Sequence, residues 1–363
     1  MIRRISKWLR MRRDIDLIPV KRAMLGLQNM VGVDVGSAEG LQPHWRSYEG
    51  IVDFYLFEPH RESYEKLKLS FLRSPYVSMI HVLPIGLSGT GGERTLYMLN
   101  CPTGSSILPI NTASEFANPN NSYVYPMREE KIHTEVLEDV LVREDVGNVD
   151  LIKLDIQGAE LEVLQGLGDE RLKNLLLVEV EVNINTSVNN NIGPYQGAPS
   201  WCELDALLTS AGMHLLDISV ARTYLQKNGD TDWYQREIFH VYENSPSLSA
   251  RAWEADLVYV RDMKQLIANR DEMGIRKLAI ALCGYRFFSE AYCLIESAKE
   301  EKILCIKDAT ELKENISKWH QAGRHFWQGR TYIWILFRRI LRLIRISQIL
   351  RWKQYMWFDY PNG

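Results

Sequence analysis

From Val31 to about Val260, apolar runs of strand length alternate with amphipathic stretches of helix length. A strand buried on both faces reads as an unbroken apolar run, whereas its crossover helix carries an apolar stripe with a 3.6-residue period. The alternation therefore predicts an α/β domain, a doubly wound, mostly parallel, seven-stranded sheet with helices on both faces. Strands are expected near 31–35, 53–57, 78–82, 150–155, 175–181, 214–218 and 256–260, and helices near 38–48, 60–72, 158–167 and 200–211. An insertion at 89–132, rich in Gly, Pro, Asn and Ser, separates the third and fourth strands, and a polar loop at 183–199 follows the fifth. Both leave from the carboxyl ends of strands, the edge where open α/β sheets bind ligands. After Asp262 the strand signal ends, and residues 263–315 read as helices with apolar faces in Lys277–Leu282 and Ala291–Ala298. The expected organisation is a basic segment at 1–30, an α/β domain at 31–262 and a helical extension at 263–363.

With 46% hydrophobic and 25% charged residues, the 363-residue chain is not disordered, collagen-like or of low complexity. Five scattered cysteines without a C-x-x-C pair point to a reducing cytosol rather than a disulfide framework or a zinc site. Neither a bilayer-spanning apolar run nor the apolar stretch of a secretory signal is expected from the pattern. The charge is unevenly spread. Residues 1–13 hold six Lys/Arg and residues 315–358 nine, with no acid in either stretch, so the remainder carries 28 bases against 46 acids. Within the basic C-terminal stretch, Thr331–Trp352 places Arg338, Arg342 and Arg345 at helical spacing beside the apolar run Tyr332–Phe337. This pattern predicts a cationic amphipathic helix that meets an anionic membrane surface, at the inner face of the membrane, or packs in a homo-oligomer.

Three segments carry candidate chemistry. Val31–Gly40 is an apolar strand ending in a glycine turn, where Gly36 and Gly40 leave room for close approach of a ligand. The dinucleotide fingerprint G-x-G-x-x-G is absent, and Asp34 repels phosphate but suits a ligand bearing a cation. The second strand ends in Glu58, 24 residues beyond Asp34, where a carboxylate accepts hydrogen bonds from ribose hydroxyls. The most specific stretch, Val149–Glu160, runs a buried strand into Asp155 and a Gln-Gly turn before a helix carrying Glu160. Asp155 contacts the reacting centre or caps that helix, and Glu160 orients Asp155 or the turn. Glu179 and Glu181 lie two apart on the fifth strand and share a face, so they need a partner: an acceptor hydroxyl, a base or a divalent ion. No further clear ligand completes a metal site with Asp155, so none is expected. His133, at the end of the insertion, is a candidate general base.

In order along the chain, Asp34-x-Gly36-x-x-x-Gly40, Phe57-Glu-Pro59, Gly104-Ser-Ser106, Asp155–Glu160 and Glu254–Val260 resemble the FkbM-type family of S-adenosylmethionine-dependent methyltransferases. The resemblance covers about 30–262 and implies a Rossmann-like methyltransferase sheet with S-adenosylmethionine as cofactor. It implies cofactor contacts from Asp34, Gly36, Ser37, Gly40, Glu58, Ser105, Ser106 and Asp155, with Asp155, Glu181 and His133 as catalytic candidates. The implied reaction is O-methylation of a sugar, glycolipid or secondary metabolite, with a lipid-linked glycan as one acceptor class. Tyr195 and Gln196 are candidate acceptor-side residues or simply close their loop. A membrane-associated scaffold with an inactive fold is the alternative, which intact Asp34, Gly36, Gly40, Glu58 and Asp155 weigh against. Nucleic acid is not the expected partner, since no Pro-Pro-Tyr-type element follows the fourth strand and the basic ends flank an acidic body.

The cationic C-terminal segment makes a first prediction. The full-length protein should co-sediment with anionic vesicles, less so as salt rises, its arginines contributing about 1 kcal/mol each. Deleting residues 331–363 should weaken the binding; a full-length protein left in the supernatant at low salt makes the segment an internal or oligomeric element.

Overall fold

The computed structural model describes residues 17–26, 28–100, 102–111, 114, 126–184, 193–223 and 251–322. The basic N-terminal stretch 1–13 and the cationic segment 331–352 lie outside the described residues. By its contacts the chain divides into two compact units: the described residues within 29–41 and 52–278, and those within 1–28, 42–51 and 279–363.

The first unit is built on a seven-stranded sheet. In chain order its strands are β1 (Met30–Val35), β2 (Val52–Phe57), β3 (Ile80–Leu83), β7 (Leu151–Leu154), β8 (Leu177–Asn183), β9 (Met213–Thr223) and β10 (Arg251–Arg261). They lie in the order β3-β2-β1-β7-β8-β10-β9. All neighbours are parallel except β10, which runs antiparallel to both β8 and β9. Strand order reverses between β1 and β7, so the crevice beyond their carboxyl ends is the topological switch point. All seven predicted strands form where the apolar runs lie. Val33, Val35, Ile152, Leu154, Val178 and Val180 are buried in one core with apolar residues of the flanking helices. These helices include α2 (Arg61–Phe71), α3 (Leu137–Arg143), α4 (Glu160–Gln165), α5 (Asp169–Asn174) and α6 (Trp201–Ser210). Ser200 and Glu203 start α6 with a reciprocal cap, each side chain meeting the other's backbone N–H. The short helices α3 and α5 add to the pattern predicted from sequence.

The insertion is not all loop. Strands β4 (Gly86–Leu87), β5 (Gly92–Leu99) and β6 (Pro126–Glu135) form a small sheet in the order β4-β6-β5. Leu96, Met98 and Ile132 cluster with Ile107, while Glu93 and Lys131 stay in solvent. Three buried side chains spread over two distant segments are too few to announce strands from sequence alone.

The predicted helix at 38–48 does not form. Gly36 and Gly40 both adopt positive φ, and Gly40 N–H donates to the Ser37 carbonyl, closing a turn. A single 3₁₀ turn, Trp45–Tyr48, follows Pro43 and belongs to the second unit. This unit also holds α1 (Ile18–Leu25), the end of α8 (Glu272–Gly284), α9 (Phe288–Glu300) and a helix over 306–322; α7 (Met263–Ala268) precedes α8 in the first unit. The helices predicted after Asp262 are thus present. The 3₁₀ turn is held by its aromatic side chains. Tyr48 OH donates to the Ala281 carbonyl at 2.7 Å, and Trp45 Nε1 donates to Tyr285 OH at 2.7 Å. Lys21 donates to the Ser47 carbonyl and lies 5.0 Å over the Trp319 ring. Among the described residues, no helix is long and apolar enough to cross a membrane.

Tyr48 seats against Gly284 so closely that a Cβ there would fall 2.1 Å from its ring. Gly284→Ala should therefore destabilise the protein by about 1–3 kcal/mol through overpacking, read as a lower denaturant midpoint. A wild-type midpoint would mean that the ring is not seated there.

Candidate active site

The site grows from the ends of β1, β7 and β8, where three charged residues stand in one row. Register places Asp34 on β1 opposite Lys153 on β7, and Lys153 opposite Glu179 on β8. Lys153 is 4% exposed, and so sits where an ammonium needs anions around it. Its Nζ donates to Asp155 Oδ2 at 3.1 Å and lies 3.9 Å from Asp34 Oδ1. Burial alone would lower the Lys153 pKa, but Asp155, Asp34 and Glu179 outweigh it and hold the ammonium protonated far above neutrality. The cation that Asp34 was expected to find in a ligand is thus partly supplied by the protein. Asp34 nevertheless keeps Oδ1 without a hydrogen bond among the described residues. Burial pushes it up to about 6, with Lys153 pulling down and Glu179 and Asp155 pushing up.

Gly36 is required for a reason other than ligand approach. Its φ is 88°, and a Cβ there would fall 2.0 Å from the Asp155 carbonyl oxygen, so the backbone after β7 fills the space. Asp155 N–H in turn donates to the Val35 carbonyl at 3.1 Å, locking the two turns together. Ser37 Oγ donates to the Asp34 carbonyl at 2.7 Å. At the end of β2, Glu58 accepts from His60 N–H at 2.8 Å through Oε1, and its second oxygen accepts no hydrogen bond among the described residues. Burial raises Glu58 to about 7, partly offset by that N–H.

The turn after Asp155 is held from below and above. Glu160 accepts from Ile156 N–H at 3.1 Å and from Gly158 N–H at 3.0 Å, so it orients the turn rather than Asp155. Burial lifts Glu160 to about 7 against those amides. Gln157 takes φ of 60°, a left-handed conformation uncommon for residues other than glycine. Its Nε2 donates to Asp155 Oδ1 at 3.3 Å and to Glu181 Oε1 at 3.0 Å. Tyr195 OH reaches Gln157 Oε1 at 2.8 Å and the Gly104 carbonyl at 2.7 Å. Ser106 Oγ donates to the Gln157 carbonyl at 2.8 Å, and Ser105 Oγ accepts from Leu99 N–H at 3.3 Å. The Gly-Ser-Ser segment therefore ties the insertion to the turn. Gln196 bonds Ile110 and Pro109 carbonyls and closes its own loop.

Gln157 Nε2 thus bridges the carboxyls of Asp155 and Glu181, and Glu254 adds its charge beside Glu181. Burial pushes Asp155 up, but Lys153 and hydrogen bonds from Glu181, Lys153 and Gln157 overcome it and leave Asp155 below the ordinary carboxylate range. Glu181 goes the other way, driven well up by burial and by the charges of Asp155 and Glu254. The opposed shifts make Glu181 the more basic of the two carboxyls, so a proton entering the pair favours it over Asp155. His133 is not brought into this cluster: it is an exposed residue of β6, 3.4 Å from Glu135. Among the described residues no group of three or more His, Cys, Asp or Glu has the geometry to hold a metal ion.

Sequence reasoning missed Lys153, Gln157 and Glu254 as site residues. Lys153 was signalled by a lone cation inside the apolar run Val149–Leu154; Gln157 and Glu254 stand in segments whose individual roles only three-dimensional contact reveals.

The Methyltransferase FkbM domain family matches residues 34–215, just over half of the chain. The chain belongs to that family. Its match takes in Asp34, Glu58, Lys153, Asp155, Gln157, Glu181 and Tyr195. A curated relative, methyltransferase sdnD of Sordaria araneosa, is 29% identical over 142 residues, which cover 34% of this chain and 55% of the relative. The solved FkbM methyltransferase of Methylobacillus flagellatus aligns at 13% identity and a TM-score of 0.35, over 64% of this chain and 45% of that one. A Streptococcus pneumoniae methyltransferase solved with S-adenosyl-L-methionine aligns at 13% identity and a TM-score of 0.28, over 83% and 97%. The chain thus spans about half the length of the curated relative and of the FkbM structure. The family is one of S-adenosylmethionine-dependent methyltransferases. Asp34 Oδ1 and the second oxygen of Glu58 accept no hydrogen bond among the described residues, which is compatible with donors from such a cofactor.

Proposed function

We propose that the protein is an S-adenosylmethionine-dependent O-methyltransferase whose acceptor is a hydroxyl of a sugar, glycolipid or secondary metabolite. The observation that carries this reading is Asp155 at the end of β7, beside the sheet's switch point, bonded by Lys153 and by a Gln157 amide that also reaches Glu181. The cofactor, when bound, supplies a methyl group already activated by its sulfonium charge. The protein then has to align an acceptor and remove its proton. Asp34 and Glu58 hold the cofactor, and Gly36, Ser37 and Gly40 shape the turn beside it. Asp155 accepts the hydroxyl proton, Lys153 keeps Asp155 anionic until then, and Glu181, the more basic neighbour, keeps the proton it already holds through the step. The catalytic domain is 31–262, and the basic ends hold it at an anionic surface on the cytoplasmic side.

Calorimetric titration with S-adenosylmethionine, followed by a screen of glycan and lipid-linked acceptors for S-adenosylhomocysteine release, tests this function. A folded protein that neither binds nor turns over the cofactor would favour a scaffold role.

Asp155→Asn should lower kcat by about 10²–10⁴-fold while cofactor affinity stays within a few-fold, because the amide keeps the size and loses the basicity. Equal loss of both removes Asp155 from the chemical step.

Affinity for the cofactor should also follow the two raised carboxyls. Their ionised forms accept the cofactor's donors, so binding should be constant at high pH and weaken as pH falls through about 7 for Glu58 and about 6 for Asp34. The loss between pH 8 and pH 5.5 should reach about a hundredfold if both carboxylates must be ionised. The linkage has a matching sign in the unliganded fold: both folded-state values lie above the unfolded ones, so these groups weaken it as pH rises toward 7. Thermal stabilisation by the cofactor should therefore be larger at pH 8 than at pH 5.5, and an unchanged affinity across that range would remove both carboxylates from the pocket.

A further inference from the structure

We propose that Gln157, pinned by Tyr195, is a positioning residue that holds the carboxyls of Asp155 and Glu181 in place and stabilises their negative charge. The inference deepens the methyl-transfer reading of the same site and rests on it for its purpose, though not for its geometry.

Four observations carry it. The Gln157 amide nitrogen reaches two carboxyl oxygens at once, Asp155 Oδ1 at 3.3 Å and Glu181 Oε1 at 3.0 Å. An amide carbonyl turned that way would face two acceptors, so the neighbours dictate that the NH₂ end points at them. The Tyr195 hydroxyl then meets the other end, lying 2.8 Å from Gln157 Oε1 and 2.7 Å from the Gly104 carbonyl, so its one proton is shared between these two acceptors. Tyr195 is 3% exposed, and burial together with Glu181, Glu254, Glu160 and Asp155 keeps its hydroxyl protonated. Finally, the backbone at Gln157 sits at φ of 60°, a conformation that glycine would adopt without cost. A side chain retained at a strained position is one whose contacts compensate for the strain.

The proton's choice of site is set by groups from every surrounding element. Lys153 on β7 favours charge on Asp155, and Glu179 on β8 and Asp34 on β1 surround that lysine. Glu254 on β10 places a negative charge beside Glu181, and Glu160 on α4 holds the turn from below. Against this fixed background, two N–H bonds from Gln157 stabilise negative charge on Asp155 and Glu181 together. Losing them moves the pair's titration upward.

The test is an infrared pH titration of the full-length unliganded protein, following the C=O stretch of protonated carboxyl groups, with Glu181→Gln used to assign the band. Gln157→Gly removes the amide and relieves the backbone. Tyr195→Phe removes the pin but keeps the ring against Leu99 and Ile110. Both should raise the midpoint of the assigned band, Gln157→Gly by about one pH unit and Tyr195→Phe by less. Midpoints within a few tenths of a unit of wild type in the folded variants overturn the proposal, as does a wild-type protein without the band. If Gln157→Gly fails to fold, Tyr195→Phe decides alone. Parallel calorimetry with S-adenosylmethionine separates the two levels. Shifted midpoints in a protein that does not bind the cofactor sustain the positioning role and sink the methyl-transfer reading, whereas normal binding with unmoved midpoints sinks the positioning role alone.

Discussion

A buried lysine ammonium needs anions, and in this protein that requirement organises the site. Lys153 lies between Asp34 and Glu179 across three neighbouring strands and bonds Asp155 two residues on. Its charge lets several carboxylates gather at the carboxyl edge of a sheet that would otherwise expel them. Removing only the lysine would leave its partners without compensation, and they would take up protons. The ion pair with Asp155 has a second effect: it separates Asp155 from Glu181 in basicity, pulling Asp155 down while burial and its neighbours push Glu181 up.

The large sheet was legible in the sequence because β1, β7 and β8 are buried on both faces, so their residues form continuous apolar runs. The 38–48 stretch misled because apolar residues at helical spacing, Leu41, Trp45 and Tyr48, are buried for a different reason. Trp45 and Tyr48 plug into partners from the far end of the chain, with a single 3₁₀ turn between two glycine-bent loops. No local periodicity encodes a partner more than 200 residues away. The small sheet escaped for a related reason, as its charged face outnumbers its apolar one.

The candidate site was legible in part. Asp34, Glu58, Asp155 and Glu181 stand at strand ends, where topology alone makes a carboxylate conspicuous. Gly36 was singled out correctly for its turn, but what it makes room for is the Asp155 carbonyl, a contact across 119 residues. His133 drew notice as a histidine near neutrality, yet β6 carries it into solvent beside Glu135. Gln157 and Tyr195 matter through each other. Neither residue type stands out until the loop after β8 crosses the turn after β7.

The segment 42–51 leaves the sheet unit between β1 and β2 and joins the helices that begin at 279. The polypeptide therefore passes between the two units four times, and the helical unit is assembled from segments far apart in the sequence. Trp45 and Tyr48, fully buried in the finished protein, emerge from the ribosome more than 200 residues before Ala281 and Tyr285 exist to receive them. Until residues 281–285 have been made these two rings have no seat, and the nascent chain carries an uncovered aromatic pair across more than 200 residues of synthesis. A transcript cut short after β10 would never supply that seat, so premature termination would leave a surface fit for chaperone capture.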